Sequence, residues 1–486
     1  MSKVLLVVAG CLAAILFACI AGPAGADDGR DTSRRYELVS PSAKEGNQVS
    51  IEMPVQSTPD GNSVAFAAPG AFGDAQTSVV GTYYVARRSG ADWVTHGIDP
   101  RQTNNDIDVA TPTVHLNADL SKAVQFSGYS LGLGGIEGGG NLYLRDLLTG
   151  ASTFLAGDTS TIFASAFAPA TGTRLTAVSA SKDMSHVVFS YSGALLPDAL
   201  APDAPDVAGP YNIYEWHGGQ LRLVNVLPDG TVAFGSGGSV SADGSKIFFN
   251  SGGSVYVRIN GTTTLPLAVS RRAGDPSTPM QGTLKAASED GNIVYFTSEA
   301  ALTDDADLSG WPALYKYDFR SDSLTDVSAT GVTAADPTNV GFGINGTNSV
   351  MAVSGDGEYV YFQSEGKLTD DANLYENNFY VAHDGVISLI ASSAWIGPGA
   401  NRMSISSSGR FVAFTSVRQL TQDEITDPGC KSDGDYVNDD GVCVETYMYD
   451  ADLRTLACLA CNPVDDRPRL TELAGGQSLG PRHARL

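Results

Sequence analysis

The chain has 486 residues, a formal net charge of −24, 54 glycines and only 17% charged residues. A chain this acidic is repelled by nucleic acids and by anionic lipid surfaces, so the sequence predicts neither as a partner. The many glycines suit short strands and tight turns, and no convincing amphipathic helix follows the N-terminal segment.

The N-terminus has the pattern of a secretory signal. Lys3 supplies the positive start, Val4–Ile20 the apolar run and Ala24–Ala26 the small residues before cleavage at Ala26. The apolar run is short for a membrane span, so we expect it to be removed and the mature chain to hold no span. We therefore predict an exported protein, secreted or in the cell envelope outside the cytoplasmic membrane, with a disordered lead over 27–35.

Lipid attachment at a cysteine of the signal is the alternative. Cys11 lies early in the apolar run for such a site, and Phe17 stands two residues before Cys19, where a smaller residue is usual. Signal cleavage after Ala26 is therefore the interpretation that we favour.

One short pattern recurs along the chain: a polar residue, one further residue, Asp-Gly or a variant, and then a strand that ends in phenylalanine. Its seven copies begin at Thr58, Asn117, Ser181, Ser241, Ser288, Ser354 and Ser406. Aspartate can bond its own backbone two residues on and glycine accepts positive φ, so the pair predicts a tight reversal between strands. In the second copy Leu120 replaces glycine and one extra residue precedes Phe126, which we interpret as a bulge.

Each copy is followed by a strand with a central tyrosine, then a turn and another strand such as Gln220–Leu223. With the short run before each Asp-Gly pair, this gives four strands per repeat of roughly 45–65 residues, which is typical of propeller blades. We predict an all-β fold, a single-domain seven-bladed β-propeller of four-stranded blades over 36–465, followed by a flexible tail over 466–486.

The pattern Ser-x-Asp-Gly…Val-x-Phe followed by Leu-Tyr-x-Tyr-Asp resembles the TolB-like, WD-repeat-like β-propeller repeat, over nearly all of the chain after residue 36. Tyr36–Pro41 and Leu456–Pro463 resemble secreted actinobacterial propellers of unassigned function. The resemblance implies binding or scaffolding in the bacterial envelope, or a propeller attached to a peptidase, and supplies no catalytic motif here. Tyr36–Pro41 is either an outer strand that closes the ring or a lead-in to the first blade.

The connections between the second and third strands of the blades are long in six of seven repeats. They span 67–81, 127–140, 190–211, 297–312, 363–376 and 415–444, whereas the fourth repeat has only Asn250–Gly253. In a propeller these connections lie on one face, and loops on a rigid scaffold often carry function. We expect a monomer that binds a protein or glycan partner through this face.

Two of these loops share an acidic sequence. Asp304, Asp305 and Asp307 follow Leu302-Thr303, and Asp370 and Asp371 follow Leu368-Thr369 at the equivalent place. Closely spaced carboxylates can supply the oxygen ligands of calcium, so these residues are calcium candidates and no other cofactor is predicted. The alternative is that the loops share ancestry and their acids face water.

Four cysteines remain after removal of the signal: Cys430, Cys443, Cys458 and Cys461. In an oxidising compartment the local disulfides are Cys430–Cys443 and Cys458–Cys461, among three possible pairings. A zinc site needs two close pairs, and 430 and 443 are too far apart for one. Redox-active or free thiols stay open as alternatives.

The sequence favours binding over catalysis without excluding an enzyme. The six histidines are scattered without ligand spacing and we assign them to different blades. The alternatives are a glycan-active lyase or hydrolase with carboxylates at the central channel, and a structural envelope protein.

Overall fold

The structure is a computed structural model of the whole chain. It describes residues 37–49, 55–76, 81–100, 113–127, 130–132, 134–137, 140–158, 175–201, 210–306, 312–329, 352–392, 403–416, 420–421 and 445–459. These residues form strands, turns and loops, and the described ranges contain no helix that is long and apolar enough to cross a membrane. The signal segment over 1–26 lies outside them.

The chain divides into two units, 1–42 and 43–486. In the first unit the described residues Glu37–Ser42 contain no strand, so the outer strand considered for Tyr36–Pro41 is not found in its described part. All the strands belong to the second unit.

The strands of blades 1 to 4 follow in chain order. Blade 1 has β1 Gln56–Ser57, β2 Ser63–Ala68, β3 Thr82–Ser89 and β4 Asp92–Gly97. Blade 2 has β5 Thr113–Leu116, β6 Lys122–Ser127, β7 Gly140–Asp146 and β8 Ser152–Asp158. Blade 3 has β9 Leu175–Ala180, β10 His186–Tyr191, β11 Asn212–His217 and β12 Gln220–Leu223. Blade 4 has β13 Gly235–Val240, β14 Lys246–Ser251, β15 Ser254–Ile259 and β16 Thr263–Pro266.

Blades 5 to 7 repeat this order. Blade 5 has β17 Thr283–Ala287, β18 Ile293–Ser298, β19 Ala313–Asp318 and β20 Ser323–Asp326. Blade 6 has β21 Ala352–Val353, β22 Val360–Ser364, β23 Asn378–His383 and β24 Val386–Ala391. Blade 7 has β25 Met403–Ile405, β26 Phe411–Ser416, β27 Glu445–Asp450 and β28 Thr455–Cys458.

Each blade is a sheet of four consecutive antiparallel strands, which confirms the predicted seven-bladed propeller. The first strands of blades 2 to 7 contact one another in sequence, so the first strand of each of these blades lies innermost, and β1 has the same place in the strand order of blade 1. Because neighbouring strands run in opposite directions, the turns between first and second strands lie on one face of the propeller, which we call the turn face. The connections between second and third strands lie on the opposite face, which we call the long-loop face.

Apolar side chains between neighbouring blades form the core. Six buried clusters join blade 1 to 2, 2 to 3, 3 to 4, 4 to 5, 5 to 6 and 6 to 7. In five blades a phenylalanine of the second strand stacks on a tyrosine of the third at 5.6–5.7 Å between ring centroids, as Phe296 does on Tyr315, and in blade 7 the corresponding rings are tilted at 5.8 Å. The aromatic residues that recur in the sequence thus form a large part of the packed core.

The Asp-Gly turns form as the sequence predicts. In blade 5 the Asp290 carboxylate accepts a hydrogen bond from the amide of Asn292 at 2.9 Å and from the Ser288 hydroxyl at 2.6 Å. The Ser288 oxygen in turn accepts from the amide of Ile293 at 3.0 Å. Equivalent bonds from a backbone amide to the side chain two residues before it occur in the other six blades.

Neighbouring turns also bond to each other on the turn face. The Ala242 amide donates to the Glu289 carbonyl at 2.6 Å, and the Glu289 amide donates to the Gly355 carbonyl at 2.8 Å. The glycine of each later turn approaches the preceding blade closely, since a Cβ at Gly357 would lie 2.7 Å from Ile293 Cβ. Glycine therefore serves both the positive φ of the turn and the contact between blades.

The interpretation of the second copy is wrong in one respect. Strand β6 begins three residues after Asp119, as the second strand does after the aspartate in blades 1, 3, 4 and 5, and Gln125 pairs with Tyr143, so no extra residue is present. Gln125 takes the position of the phenylalanine and is fully buried, whereas Phe126 faces the next blade. Leu120 does replace glycine: it has φ +55° and its side chain is fully buried between blades 1 and 2.

Candidate functional site

The long-loop face is held by the tyrosines of the third strands. The Tyr315 hydroxyl accepts a hydrogen bond from the amide of Leu302 at 3.2 Å and donates to the Ala300 carbonyl at 2.9 Å. The corresponding tyrosine accepts from a loop amide in five other blades, at Phe72–Tyr84, Leu131–Tyr143, Leu195–Tyr214, Leu368–Tyr380 and Leu420–Tyr447. Blade 4, where Gly252-Gly253 alone joins β14 and β15, has no such loop.

The two acidic loops are equivalent in structure. Leu302 and Leu368 are buried in the core, and each following threonine carbonyl accepts a hydrogen bond from the alanine three residues on, at 3.2 Å. Asp304, Asp305, Asp370 and Asp371 are exposed, and Asp307 lies outside the described residues. The shared sequence thus has a structural role, because its leucine packs into the core.

No group of three or more His, Cys, Asp or Glu side chains that could hold a metal occurs among the described residues. Arg272 Nε lies 4.0 Å from the Asp304 carboxylate. Calcium at these loops therefore stays a prediction.

A buried acid that the sequence reasoning missed lies beside the first acidic loop. Asp326, at the end of β20, is 5% exposed; its Oδ1 accepts hydrogen bonds from the amide and hydroxyl of Ser328, at 2.9 and 2.7 Å. Its Oδ2 is buried without a hydrogen-bond partner, as is the hydroxyl of Thr303. Burial, together with the charge of Asp305, raises the pKa of Asp326 to about 6.

The loop of blade 6 presents an aromatic side chain. Tyr375 is 69% exposed and has φ +62°, a conformation uncommon for a residue with a side chain. Its amide donates to the Glu365 carbonyl at 2.8 Å, and Asn378 Nδ2 donates to the Asn373 carbonyl at 2.6 Å. The tyrosine is thus held outward by a hydrogen-bonded loop.

A second buried acid lies between blades 1 and 2. Asp99 accepts hydrogen bonds from the amide of Tyr83 at 2.7 Å and the hydroxyl of Thr113 at 2.6 Å. Gln125 Nε2 donates to the same threonine at 2.9 Å. Burial raises the pKa of Asp99 to about 7, although these bonds and the charge of Arg145 act to lower it.

No protein-family model and no curated protein matches this sequence. Solved structures do match. The chain is similar to a putative TolB from Agrobacterium tumefaciens, at 13% identity over 65% of this chain and 87% of that one, with a TM-score of 0.29. An oligogalacturonate lyase in complex with manganese matches at 13% identity over 74% and 84%, with a TM-score of 0.38.

A prolyl endopeptidase is a third similar structure, at 11% identity over 86% of this chain and 51% of that one, with a TM-score of 0.44. This chain therefore spans about half the length of the prolyl endopeptidase. At these identities the likeness concerns the fold alone. The predicted seven-bladed propeller fold is confirmed by the topology of the seven sheets. The similar structures include TolB-like and WD-repeat propellers, and the actinobacterial type stays a prediction.

The innermost strands bear on the enzyme alternative. Over their described residues, β1, β5, β9, β13, β17, β21 and β25 contain no Asp or Glu. Their ionisable side chains are His115 and Lys285, and burial lowers the pKa of both. The paired carboxylates that a channel lyase or hydrolase would use are not found in these seven strands.

The histidines are closer together than the sequence analysis expected. His186 and His217 both belong to blade 3, where they pair across β10 and β11 and stack at 3.8 Å. His186 Nδ1 lies 2.6 Å from the buried Glu215 carboxylate. Strand register brings them together, which sequence spacing does not reveal.

Of the cysteines, Cys458 is described and is disulfide-bonded. Cys430, Cys443 and Cys461 lie outside the described residues, so the structure does not identify the partner of Cys458. The predicted pairing is therefore untested, and so is cleavage at Ala26.

Proposed function

We propose that this protein is an extracytoplasmic binding propeller that recognises a positively charged segment of a partner through the long-loop face, with no covalent step. The observation that carries the proposal is Tyr375, an aromatic side chain held outward in a left-handed backbone conformation. A sparsely populated conformation persists where the surroundings impose it, and such residues concentrate at ligand contacts.

The loop around Tyr375 is preorganised by hydrogen bonds within blade 6. The Tyr380 hydroxyl accepts from the amide of Leu368 at 3.2 Å and donates to the Gly366 carbonyl at 2.7 Å. A loop fixed in this way loses little conformational entropy on binding, so its contacts count more fully toward affinity. Tyrosine is enriched among residues that dominate binding energy, because it brings a large area with few rotatable bonds.

Charge supports the choice of partner. Asp370 and Asp371 are exposed on the same loop as Tyr375, and the chain carries a net charge of −24. An acidic surface attracts a basic partner and speeds its association, an effect that salt screens. A tyrosine ring on a loop that also carries carboxylates is suited to a lysine or arginine side chain.

The experiment is binding of a fluorescent lysine-rich peptide to the full chain, measured by anisotropy at low and high salt. We expect Tyr375→Ala to weaken binding by about tenfold, the effect of a residue worth more than 1 kcal/mol. Leu148→Ala is the matched control, because Leu148 is equally exposed, at 69%, in the turn between β7 and β8 on the turn face.

Equal affinities of the two variants, or binding that salt does not weaken, would remove the proposal. Export is tested separately by N-terminal sequencing of the protein from a producing cell, where Asp27 is the expected first residue. Recovery of the protein in the cytoplasm with Met1 in place would contradict the extracytoplasmic part alone.

A further inference from the structure

Asp326 occupies a position that is uncharged in every other blade. It pairs directly across the strands with Tyr315, the tyrosine that holds the long loop of blade 5. At the corresponding positions the other six blades have Gly97, Phe154, Leu223, Pro266, Leu389 and Cys458. Blade packing therefore does not call for an acid there.

The side chain of Asp326 is only half satisfied. The hydrogen bonds from the Ser328 amide and hydroxyl reach Oδ1, and Oδ2 has none although the residue is 5% exposed. A buried carboxylate oxygen without a donor is costly unless a cation or a proton accompanies it.

A second unsatisfied oxygen lies at the same end of the blade. The Thr303 hydroxyl is buried without a partner, and Thr303 directly follows Leu302, whose amide donates to the Tyr315 hydroxyl at 3.2 Å. Side chains of directly opposed strand residues lie on the same side of a sheet, so Asp326 is beside the Tyr315 ring. Asp305 lies in the same turn as Thr303, which the Ala306 amide closes on the Thr303 carbonyl at 3.2 Å. Its charge raises the pKa values of both Asp326 and Tyr315.

We propose that Asp305, Asp326 and the hydroxyl of Thr303 bind one divalent cation of the calcium class at the end of blade 5. Calcium takes oxygen ligands in flexible geometry, and water and backbone carbonyls can complete the shell around two carboxylates and a hydroxyl. The cation neutralises two acids that repel each other and gives the buried Oδ2 a partner. It also fixes the first acidic loop of the long-loop face.

Blade 6 provides an internal comparison. It repeats the leucine, threonine and paired aspartates, with the Thr369 hydroxyl again buried and without a partner, but Leu389 stands where blade 5 has Asp326. The proposed site is therefore specific to blade 5, whereas the sequence predicted equivalent sites in both loops. The site does not depend on the proposed recognition of a basic partner.

The test is calorimetry of calcium chloride added to the full chain after treatment with chelator and buffer exchange. Sensitised terbium luminescence, excited through nearby tyrosines, is the second readout. We expect one site that is weakened at least about tenfold by Asp326→Asn and by Asp305→Asn, because carboxylate count sets calcium affinity. Asp371→Asn, the matched change in blade 6, should leave it unchanged.

Asp305 is exposed, so Asp305→Asn keeps the test valid if the buried variant unfolds. Absence of calcium binding to the wild-type chain at millimolar concentration would overturn the proposal. Calcium binding that Asp371→Asn removes and Asp305→Asn does not would overturn it equally.

Discussion

The hydroxyl of Tyr315 bonds twice to the loop that precedes its own strand, accepting from Leu302 at 3.2 Å and donating to Ala300 at 2.9 Å. The side chain thereby satisfies a backbone amide and a carbonyl that the core encloses. The bond from a loop amide to the tyrosine hydroxyl occurs in six blades, so six loops of different length are attached to the blades in the same way. Variation in the loops leaves the packing of the blades intact.

The first prediction concerns this bond. Tyr315→Phe keeps the ring but leaves the buried amide of Leu302 without an acceptor, which should lower the free energy of unfolding by about 1–3 kcal/mol. Chemical denaturation measures the loss, and hydrogen exchange should increase at the Leu302 amide. Tyr256→Phe in blade 4, where no long loop is present, is the control. Equal losses in the two variants would show that the loop bond adds nothing.

The second prediction separates two demands on the turn glycines. Gly61→Ala introduces only the backbone strain of a positive φ, since nothing lies within 4 Å of the added Cβ. It should lower the free energy of unfolding by about 1–2 kcal/mol. Gly357→Ala has a similar φ and would also press against Ile293, so it should cost about 1–3 kcal/mol more. Denaturant unfolding of the two variants compares them directly. The same loss in both would deny a role for the contact between blades.

The fold was predictable because its signals are local. An Asp-Gly pair sets its own turn, as Asp290 does through the amide of Asn292, and the following tyrosine marks the third strand. Gln125 departs from the sequence pattern, because the nearest phenylalanine, Phe126, lies one residue on and faces the next blade. Only strand pairing shows that Gln125 is opposite Tyr143 and holds the aromatic position.

The candidate site was less predictable, since it depends on pairing between distant strands. The acids of Leu302-Thr303-Asp304-Asp305 can be found in the sequence, but not that Leu302 belongs to the core. Asp326 follows no motif, and its importance comes from lying opposite Tyr315. That relation requires the register of β19 and β20, which the sequence alone does not fix.

The third prediction sets strain against burial at Leu120. Replacement by glycine, the usual residue of this turn, should relieve about 1–2 kcal/mol of strain at φ +55°. It also removes a fully buried side chain between blades 1 and 2, which costs about 2–5 kcal/mol. Burial should win, so Leu120→Gly should unfold at lower denaturant than the wild type. A midpoint at higher denaturant would mean that strain dominates.

The last prediction concerns pH and Asp99, whose pKa is raised to about 7 by burial. The unfolded residue ionises near pH 4, so between about pH 4 and 7 the folded protein retains a proton that the unfolded chain has lost. The stability that this proton represents is complete below pH 4 and disappears as pH rises through 7. Relative to wild type, Asp99→Asn should therefore gain stability as pH rises from 5 to about 7, by up to about 1.4 kcal/mol per pH unit, and the gain should level off by pH 8.

Asparagine suits this place, because Asn225 holds the equivalent position in blade 3 and accepts from the Ile213 amide at 2.9 Å. The control is Asp146→Asn, since amides of Leu148 and Thr149 bond to that exposed carboxylate and lower its pKa. Its stability difference from wild type should change only as pH falls below about 4. Unfolding at matched denaturant steps from pH 5 to pH 8 makes the comparison. A difference for Asp99→Asn that stays constant over this range would mean that Asp99 is ionised in the folded protein throughout.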